Sequence, residues 1–252
     1  IMTNLLQDES TDIWNKLYKG FEDGKPLGIS YPTEALVICV SNLRKKSLDV
    51  NGYFADNDNE HSIKTNFSGK CLEIGFGSIA NLKMMQEKGF VCLGLEVSEE
   101  AVTRGVKQIE KENIPNVTLQ HWSPLEIPFP DNSFDFIYGL QSVYYNLDFK
   151  GFIKEVRRVL KPGGQFLFSF FSNKHFYMSY IENITSTESN TNIAKWSGNH
   201  PNKRLQGAAF YQPKNKKELL ELFSEFSDVR VFTTDSDQTP LFESWWYVQG
   251  TK

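Results

Sequence analysis

The chain has 252 residues, of which 40% are hydrophobic and 23% are charged, and its formal net charge at pH 7 is −4. This length and composition are typical of one elaborated α/β domain with a single core. Proteins that bind nucleic acid or anionic membrane surfaces usually carry an extended basic patch. Here the basic runs are short, at residues 44–46 and 214–217, so we expect neither partner.

The apolar segments and the cysteines bear on the compartment. No apolar run approaches the roughly 20 residues that span a bilayer, and residues 1–10 are polar and acidic, unlike a signal peptide. Cys39, Cys71 and Cys92 lie in apolar stretches, and neither they nor the scattered histidines show metal-ligand spacing. We therefore expect a cytoplasmic protein with reduced thiols and no metal site.

Residues 1–66 are predicted to form a helical N-terminal segment that caps the domain and helps to bind substrate. Apolar residues recur at helical spacing within residues 8–24, and the apolar run at residues 35–43 predicts a second, buried helix. Residues 51–66 are rich in aspartate and asparagine, which predicts a surface loop.

From Lys70 onward, predicted strands alternate with predicted helices. The expected strands cover residues 71–74, 90–97, 117–120, 134–140 and 165–171, and the expected helices cover residues 80–88, 99–112 and 152–160. Ser98 is the expected N-cap of the helix at residues 99–112. The alternation predicts right-handed crossovers and a doubly wound, mostly parallel sheet with helices on both faces.

Residues 67–252 are expected to form the main domain, with a lid-like insert at about residues 175–213. Within the insert, residues 183–204 are polar and show few regular signals. A helix at residues 216–226 and strands at residues 229–233 and 245–248 then complete the predicted domain.

Residues suited to a nucleotide-like ligand follow the first two predicted strands. In doubly wound sheets ligands bind at the carboxyl ends of strands, and Gly75 and Gly77 would let the backbone approach a ligand closely. Glu96 lies near the end of the second strand, 21 residues after Gly75, where a carboxylate can accept hydrogen bonds from both hydroxyls of a ribose. A simple tight turn and an exposed acid at a strand end would give the same pattern.

The same loop leaves two kinds of nucleotide ligand open. The spacing Gly75-x-Gly77-x-x-Ala80 also satisfies the dinucleotide fingerprint. Glu73 argues against a dinucleotide, because its charge would repel a pyrophosphate and would attract an ammonium group on a ligand.

Three segments, in a fixed order, extend the pattern over residues 68–173. They are Leu72-Glu73-Ile74-Gly75-Phe76-Gly77-Ser78, then LEIPFPDNSFD at residues 125–135, and EVRRVLKPGG at residues 155–164. Together they resemble the motifs of class I S-adenosylmethionine (SAM)-dependent methyltransferases, and more narrowly the type 11 group that includes ubiquinone and menaquinone biosynthesis methyltransferases. The resemblance implies a Rossmann-like methyltransferase fold with a seven-stranded sheet and an antiparallel last strand. It also implies SAM as the cofactor and S-adenosylhomocysteine as the product.

The resemblance further implies a set of cofactor-binding residues. Glu73 and the backbone of Gly75, Phe76 and Gly77 would surround the methionine part of SAM, Glu96 would hold the ribose, Val97 would pack on the adenine, Ser123, Pro124 and Leu125 would line the adenine edge, and Leu140 and Gln141 would form the floor near the sulfonium. Two positions depart from the family pattern, since Ile79 replaces a third glycine and Ser123 replaces an aspartate. Ile79 predicts a less open loop, and Ser123, whose hydroxyl would bind the adenine amino group more weakly than a carboxylate, predicts a modest cofactor affinity.

Two aromatic-rich segments, residues 10–32 with Trp14 and Tyr18 and residues 175–211, could cover the sulfonium face and close a pocket. Closed, mostly apolar pockets suit small ligands, so we expect methylation at an oxygen or nitrogen of a small-molecule acceptor. His175 is the candidate general base. Tyr145 is expected near the acceptor, at a position where family members often carry a histidine. A surface or lid role for His175 and core packing for Tyr145 are the alternatives.

Two other functions fit parts of the pattern. A NAD-dependent oxidoreductase would use the same glycine loop, and a regulatory module could keep the fold and bind SAM without catalysis. Binding of NAD would favour the first, and failure to turn over SAM with any acceptor would favour the second. The sequence identifies neither the acceptor nor the oligomeric state.

Overall fold

The computed structural model describes residues 2–20, 32–46, 69–124, 126–185, 192–237 and 242–252. The helices are α1 (Met2–Lys19), α2 (Glu34–Lys46), α3 (Ala80–Glu87), α4 (Glu99–Glu112), α5 (Phe149–Val159) and α6 (Lys216–Leu222), with short 3₁₀ helices at Val143–Tyr145 and Phe176–Tyr180. The strands are β1 (Lys70–Ile74), β2 (Val91–Glu96), β3 (Val117–His121), β4 (Phe134–Gly139), β5 (Leu160–Phe171), β6 (Ile181–Thr185), β7 (Asn192–Trp196), β8 (Ala209–Tyr211), β9 (Ser227–Ser236) and β10 (Glu243–Thr251). The predicted surface loop at residues 51–66 lies outside the described residues.

Seven strands form the main sheet, in the order β3-β2-β1-β4-β5-β10-β9. The pairs from β3 to β5 are parallel, whereas β10, the last strand of the chain, runs antiparallel to both β5 and β9. The expected seven-stranded, mostly parallel sheet with an antiparallel last strand is confirmed. The strand order reverses between β1 and β4, so the carboxyl ends of β1, β2 and β4 meet at one edge, where such sheets bind ligands.

The core lies on both faces of the central strands. β4 and residues 166–171 of β5 are mostly apolar and are buried from both sides, as expected for strands covered by helices. On one face Phe223, which follows α6, stacks on Phe166 of β5 with the ring centroids 4.9 Å apart. Each such fully buried phenylalanine contributes roughly 1.5–3 kcal/mol to folding.

Arg158 connects the two sequence motifs at residues 125–135 and 155–164 by hydrogen bonds. Its Nη1 donates to the Phe129 carbonyl at 2.8 Å and to Asp131 at 2.9 Å, and its Nη2 donates to the Ile127 carbonyl at 2.8 Å and to Glu155 at 2.7 Å. A planar guanidinium can serve several acceptors in this way. The loop before β4 is therefore attached to α5, which fixes β4 beside β5.

The insert at residues 175–213 contains a three-stranded antiparallel sheet, in the order β6-β7-β8. The prediction of few regular elements in residues 183–204 is wrong for β7, whose Trp196 stacks on Phe210 of β8 with the centroids 4.3 Å apart. Helix α1 packs on the same sheet, where the Ser10 hydroxyl accepts from the Ala209 amide at 2.9 Å. Tertiary packing rather than local pattern thus determines these strands.

The boundaries of several predicted elements change because of backbone hydrogen bonds that a pattern does not show. Helix α5 begins at Phe149 rather than at residue 152, since Asp148 caps it by accepting from the Gly151 amide. Strand β5 begins at Leu160 and includes the Pro162-Gly163-Gly164 segment. None of the described helices combines the length and apolar character needed to cross a membrane.

Ser98→Ala should lower the free energy of unfolding by about 1 kcal/mol. The Ser98 hydroxyl caps α4 by accepting from the Ala101 amide at 3.3 Å in a fully buried position, and alanine leaves that amide without a partner. Chemical denaturation measures the loss. Ser98→Thr is the matched control, because threonine keeps the hydroxyl that accepts from the Ala101 amide, and equal losses in the two variants would contradict the capping role.

Candidate functional site

One cavity lies at the carboxyl ends of β1, β2 and β4, beneath α1, and encloses about 600 Å³ including its open mouth. It is lined by Gln7, Ser10, Thr11, Trp14, Tyr18, Ile74, Gly75, Glu96, Val97, Trp122, Pro124, Gln141, Ser142, Val143, Tyr145 and Asn146. Among the residues that the structure describes, Glu96 is the one charged residue of this lining. The cavity is otherwise aromatic, apolar or neutral polar, which suits a small ligand.

The glycine loop after β1 approaches its neighbours too closely for side chains. Gly75 and Gly77 have φ values of +69° and +53°, in the left-handed region that favours glycine. A Cβ on Gly75 would lie 2.5 Å from the Cβ of Ser142, and one on Gly77 would lie 2.8 Å from the Tyr18 hydroxyl. The loop is therefore shaped by contacts with the β4 end and with α1.

Glu96 connects this loop to the end of β2. Its Oε2 accepts from the Gly77 amide at 3.0 Å, and its Oε1 accepts from the Val97 amide at 2.7 Å and from the Ser98 amide at 3.3 Å. Burial raises the pKa of Glu96, although these three hydrogen bonds act in the opposite direction. The carboxylate is held rigidly at the cavity wall.

Glu73 lies behind the cavity rather than in its lining. Its Oε1 accepts from Asn81 at 2.8 Å and its Oε2 accepts from the Tyr138 hydroxyl at 3.2 Å. Asn81 in turn accepts from the Thr33 amide at 2.9 Å, just before α2. Burial raises the pKa of Glu73 well above its usual range, and the nearby Glu96 raises it further. In this structure Glu73 joins β1 to α3 and β4.

Two other predicted residues of the loop face the core. Phe76 is buried under the loop, with its ring 2.8 Å from where a Cβ on Gly94 of β2 would lie. Ile79, which stands where the family pattern has a third glycine, is also buried and packs beside Gly105 of α4. Since the Ile79 side chain is absent from the cavity lining, it does not narrow the cavity.

The wall beyond β2 is formed by Val97, Trp122 and Pro124. Ser123 is exposed and outside the lining, and Leu125 lies outside the described residues. Trp122, which sequence reasoning missed, is buried and donates from its Nε1 to the Glu126 carbonyl at 2.8 Å. Its position next to a predicted strand end was the available signal.

The floor after β4 is held by two short hydrogen bonds. Gln141 has a φ of +58°, and its backbone amide donates to the Ser169 hydroxyl of β5 at 2.6 Å. The Ser142 hydroxyl donates to the Ile74 carbonyl at 2.5 Å. Gln141 lines the cavity, whereas Leu140 is buried and does not.

The wall opposite the sheet is one face of α1. Gln7, Ser10, Thr11, Trp14 and Tyr18 recur at the three- and four-residue spacing of a helix face. Gln7 holds the helix to the 3₁₀ segment after β4, by donating to the Tyr145 carbonyl at 3.0 Å and accepting from the Leu147 amide at 2.9 Å.

The two predicted catalytic residues lie in different places. Tyr145 lines the cavity, its ring meets Trp14 edge-on with centroids 4.8 Å apart, and its hydroxyl accepts from Trp196 Nε1 at 3.2 Å. His175 is outside the lining and packs against the rings of Phe171 and Trp245. Burial lowers the pKa of His175 to about 4, and its Nδ1 accepts from the Tyr177 amide. The structure thus does not bring His175 to the cavity.

Glu73→Gln should make stability less dependent on pH. Burial raises the pKa of Glu73, so the folded protein holds this proton more tightly than the unfolded chain does. Above the raised pKa the charged carboxylate destabilises the fold, and this cost is lost as the pH falls toward the ordinary value for glutamate. The melting temperature of the unsubstituted protein should therefore rise relative to that of Glu73→Gln as the pH falls from the raised pKa toward the ordinary value for glutamate. A constant difference across that range would contradict the raised pKa.

The cavity and its loops can now be compared with known proteins. Residues 72–168 match the family model of a type 11 methyltransferase domain. A demethylmenaquinone methyltransferase of Listeria welshimeri is 36% identical over 104 residues, which is 40% of this chain and 42% of that protein. The enzyme of the same name from Geobacillus kaustophilus is 32% identical over 152 residues, which is 55% of this chain and 61% of that protein. The chain thus matches about half of the length of these curated relatives.

A solved structure extends the likeness of fold to nearly the whole chain. A protein studied for the conversion of a disulfide bond into a thioacetal group during echinomycin biosynthesis has a TM-score of 0.62, with 96% of this chain and 92% of that chain covered. Its sequence identity is 13%, so it shows the fold alone. Residues 72–168 thus match a methyltransferase domain of the type 11 group, whose members use SAM as their cofactor.

Proposed function

We propose that this protein is an enzyme that transfers the methyl group of SAM to an oxygen or nitrogen of a small, uncharged molecule. The observation that carries the proposal is that one cavity extends from the strand ends of the sheet to helix α1. Its β1–β2 side presents Gly75 and Glu96, as a nucleoside ligand requires, and its α1 side presents Trp14 and Tyr145, where an acceptor would lie. A proposed cytoplasmic location goes with this function.

SAM is proposed to bind in the part of the cavity at the carboxyl ends of β1, β2 and β4. A carboxylate offers about four acceptor positions, and three amides already occupy Glu96, which leaves one for a ribose hydroxyl. Val97, Trp122 and Pro124 would pack on the adenine. The backbone at Gly75 and Gly77, with Gln141, would surround the methionine part. Tyr18, beside Gly77, would cover it from α1.

The chain's contribution to the reaction is mainly positioning. SAM supplies a methyl group on a positively charged sulfur, which is already a good leaving group. Holding a nucleophile in line with such a group can contribute several kcal/mol or more. The aromatic rings of Trp14 and Tyr145 also suit a cationic centre, since ring faces attract positive charge.

The cavity wall offers few groups that could act as a general base. Its lining contains no histidine, lysine or cysteine among the residues that the structure describes. Burial raises the pKa of Tyr145, so this hydroxyl stays protonated at neutral pH and acts as a hydrogen-bonding group rather than a base. We therefore propose an acceptor atom that attacks without a strong protein base, and we do not assign that role to His175.

The nature of the lining supports a small, uncharged acceptor. An anionic acceptor would find no cationic side chain among the described residues of the lining and would lie near Glu96. The curated relatives bear the name demethylmenaquinone methyltransferase, which supports a small-molecule acceptor rather than a protein or a nucleic acid.

Glu96→Ala should weaken SAM binding by about 2–4 kcal/mol, or roughly 30- to 800-fold, because a charged hydrogen-bond acceptor is lost and three amides are left without their partner. Isothermal calorimetry on the folded variant measures the change. Glu99→Ala, three residues further on with an exposed side chain, is the matched control and should bind SAM as tightly as the unsubstituted protein. Unchanged affinity in Glu96→Ala would remove Glu96 from the site.

Methyl transfer itself can be followed with SAM labelled on the methyl group. We expect label to enter the small-molecule fraction of a cell extract, and not the protein or RNA fraction, because a cavity of about 600 Å³ under α1 has the size and the mostly apolar wall of a small-ligand site. Each fraction is incubated separately with the enzyme and with Glu96→Ala. Labelling confined to protein or RNA would contradict the proposal.

A further inference from the structure

The side-chain amide of one residue, Gln7, attaches helix α1 to the segment that follows β4. Its Nε2 donates to the Tyr145 carbonyl at 3.0 Å, and its Oε1 accepts from the Leu147 amide at 2.9 Å. A primary amide has the donor and the acceptor of a peptide group, so Gln7 pairs with the main chain at two positions, as a neighbouring strand would. These two hydrogen bonds are called the Gln7 clamp below.

The clamp holds a helix that covers the ligand space. Gln7, Trp14 and Tyr18 of α1 line the cavity opposite the strand ends, and the Tyr18 hydroxyl lies 2.8 Å from where a Cβ on Gly77 would be. A ligand that fills the space between the strand ends and α1 therefore lies under the helix. Such a ligand enters and leaves more readily when the helix moves away.

The contacts of the first half of α1 can separate without disrupting the main core. Leu6 packs with Leu147, Ile193 and Ala209 in a small apolar cluster that is separate from that core. The Ser10 hydroxyl accepts from the Ala209 amide, which is again a bond between a side chain and the main chain. A glutamine side chain loses rotamer freedom when it is held, which keeps the net strength of the clamp small. Few weak contacts have to break for this helix to open locally.

We propose that α1 is a lid over the cavity and that Gln7 is the positioning residue that holds the lid closed. The inference rests on the proposed function for the identity of the ligand, SAM or S-adenosylhomocysteine, whereas the clamp is present in the protein without ligand. Gln7 acts through the helix: while the clamp is formed, Trp14 and Tyr18 enclose the ligand. The Leu147 amide is buried, so the loss of its partner destabilises the closed position of α1 in particular.

A lid has a kinetic signature that a binding contact lacks. If the opening of α1 limits passage, a weaker clamp speeds entry into the free protein and escape from the complex by the same factor, and Kd changes little. The loss of a direct contact with the ligand would instead speed escape alone, as most changes in a binding site do.

Gln7→Ala should therefore speed both the association and the dissociation of S-adenosylhomocysteine about tenfold, equivalent to about 1.4 kcal/mol, and change Kd less than threefold. Both rates are measured with radiolabelled S-adenosylhomocysteine, by rapid filtration after mixing and after a chase with unlabelled compound. Gln7→Glu, a variant of the same size, sets a carboxylate against the Tyr145 carbonyl oxygen and should change both rates in the same direction. Gln108→Ala is the matched control, because it makes the same substitution in an exposed glutamine of α4, and it should keep both rates within twofold.

Hydrogen exchange on the ligand-free protein separates a lid contact from general stabilisation. In Gln7→Ala the amides of α1 and of Leu147 should exchange about tenfold faster, while the amides of β4 and β5 stay within twofold of the unsubstituted protein. A residue that only stabilises the whole fold would speed exchange in the sheet and in α1 alike. Saturating S-adenosylhomocysteine should slow the exchange of α1 in the unsubstituted protein.

The outcomes distinguish this inference from the proposed function. Unchanged rates in Gln7→Ala, faster dissociation without faster association, or equally faster exchange in α1 and the sheet would each overturn the lid. If S-adenosylhomocysteine binds to none of these proteins, the proposed function fails, and exchange alone then decides the clamp: acceleration confined to α1 and Leu147 supports it, and uniform acceleration overturns it.

Discussion

The arrangement of the cavity depends on the hydrogen bond between the Glu96 carboxylate and the Gly77 amide. It adds a side-chain attachment between the glycine loop after β1 and the end of β2, beside the backbone hydrogen bond from the Gly75 amide to the Leu95 carbonyl at 2.7 Å. The Glu96 bond forms in a buried position, where a charge is costly unless several donors face it, and the adjacent amides of Val97 and Ser98 supply those donors. One carboxylate thus shapes the loop and also presents the acidic edge on which a ribose would be held.

Near the Glu96–Gly77 hydrogen bond, a few other polar contacts hold the strand ends and the loops in place. Glu73 attaches β1 to β4 through Tyr138 and to α3 through Asn81. Ser142 and Ser169 fix the turn after β4. Sequence reasoning placed Glu73 next to the ligand because of its charge and its position beside the glycine loop. In the structure that charge is buried one layer deeper, with both of its oxygens occupied, so its effect on a ligand would be exerted through the positions of β1 and α3.

The sequence predicts the main sheet and the strand ends of the cofactor half well, because alternating apolar runs, glycines with positive φ and the Ser98 cap are all local signals. It predicts side-chain direction poorly. Ser123 and Trp122 are adjacent in the chain, yet only Trp122 lines the cavity. The residues of α1 that line the cavity recur at helical spacing in the sequence, but this spacing does not predict which part of the protein the helix packs on. Asn146 also lines the cavity, and no local signal in the sequence points to it.

Helix α1 takes part in both halves of the cavity, and this has a consequence for binding. Its Tyr18 hydroxyl lies over Gly77, at the cofactor end, and its Trp14 lies against Tyr145, at the acceptor end. A ligand that displaces the helix at either end must change contacts at the other, because Gln7 and Ser10 hold it as one unit against the 3₁₀ segment and β8. Binding energies that share one rigid element are coupled, and the coupling is reciprocal. Because α1 lines the cavity at both ends, a ligand bound at one end would change the affinity for a ligand at the other, which a site assembled only from the sheet edge could not do.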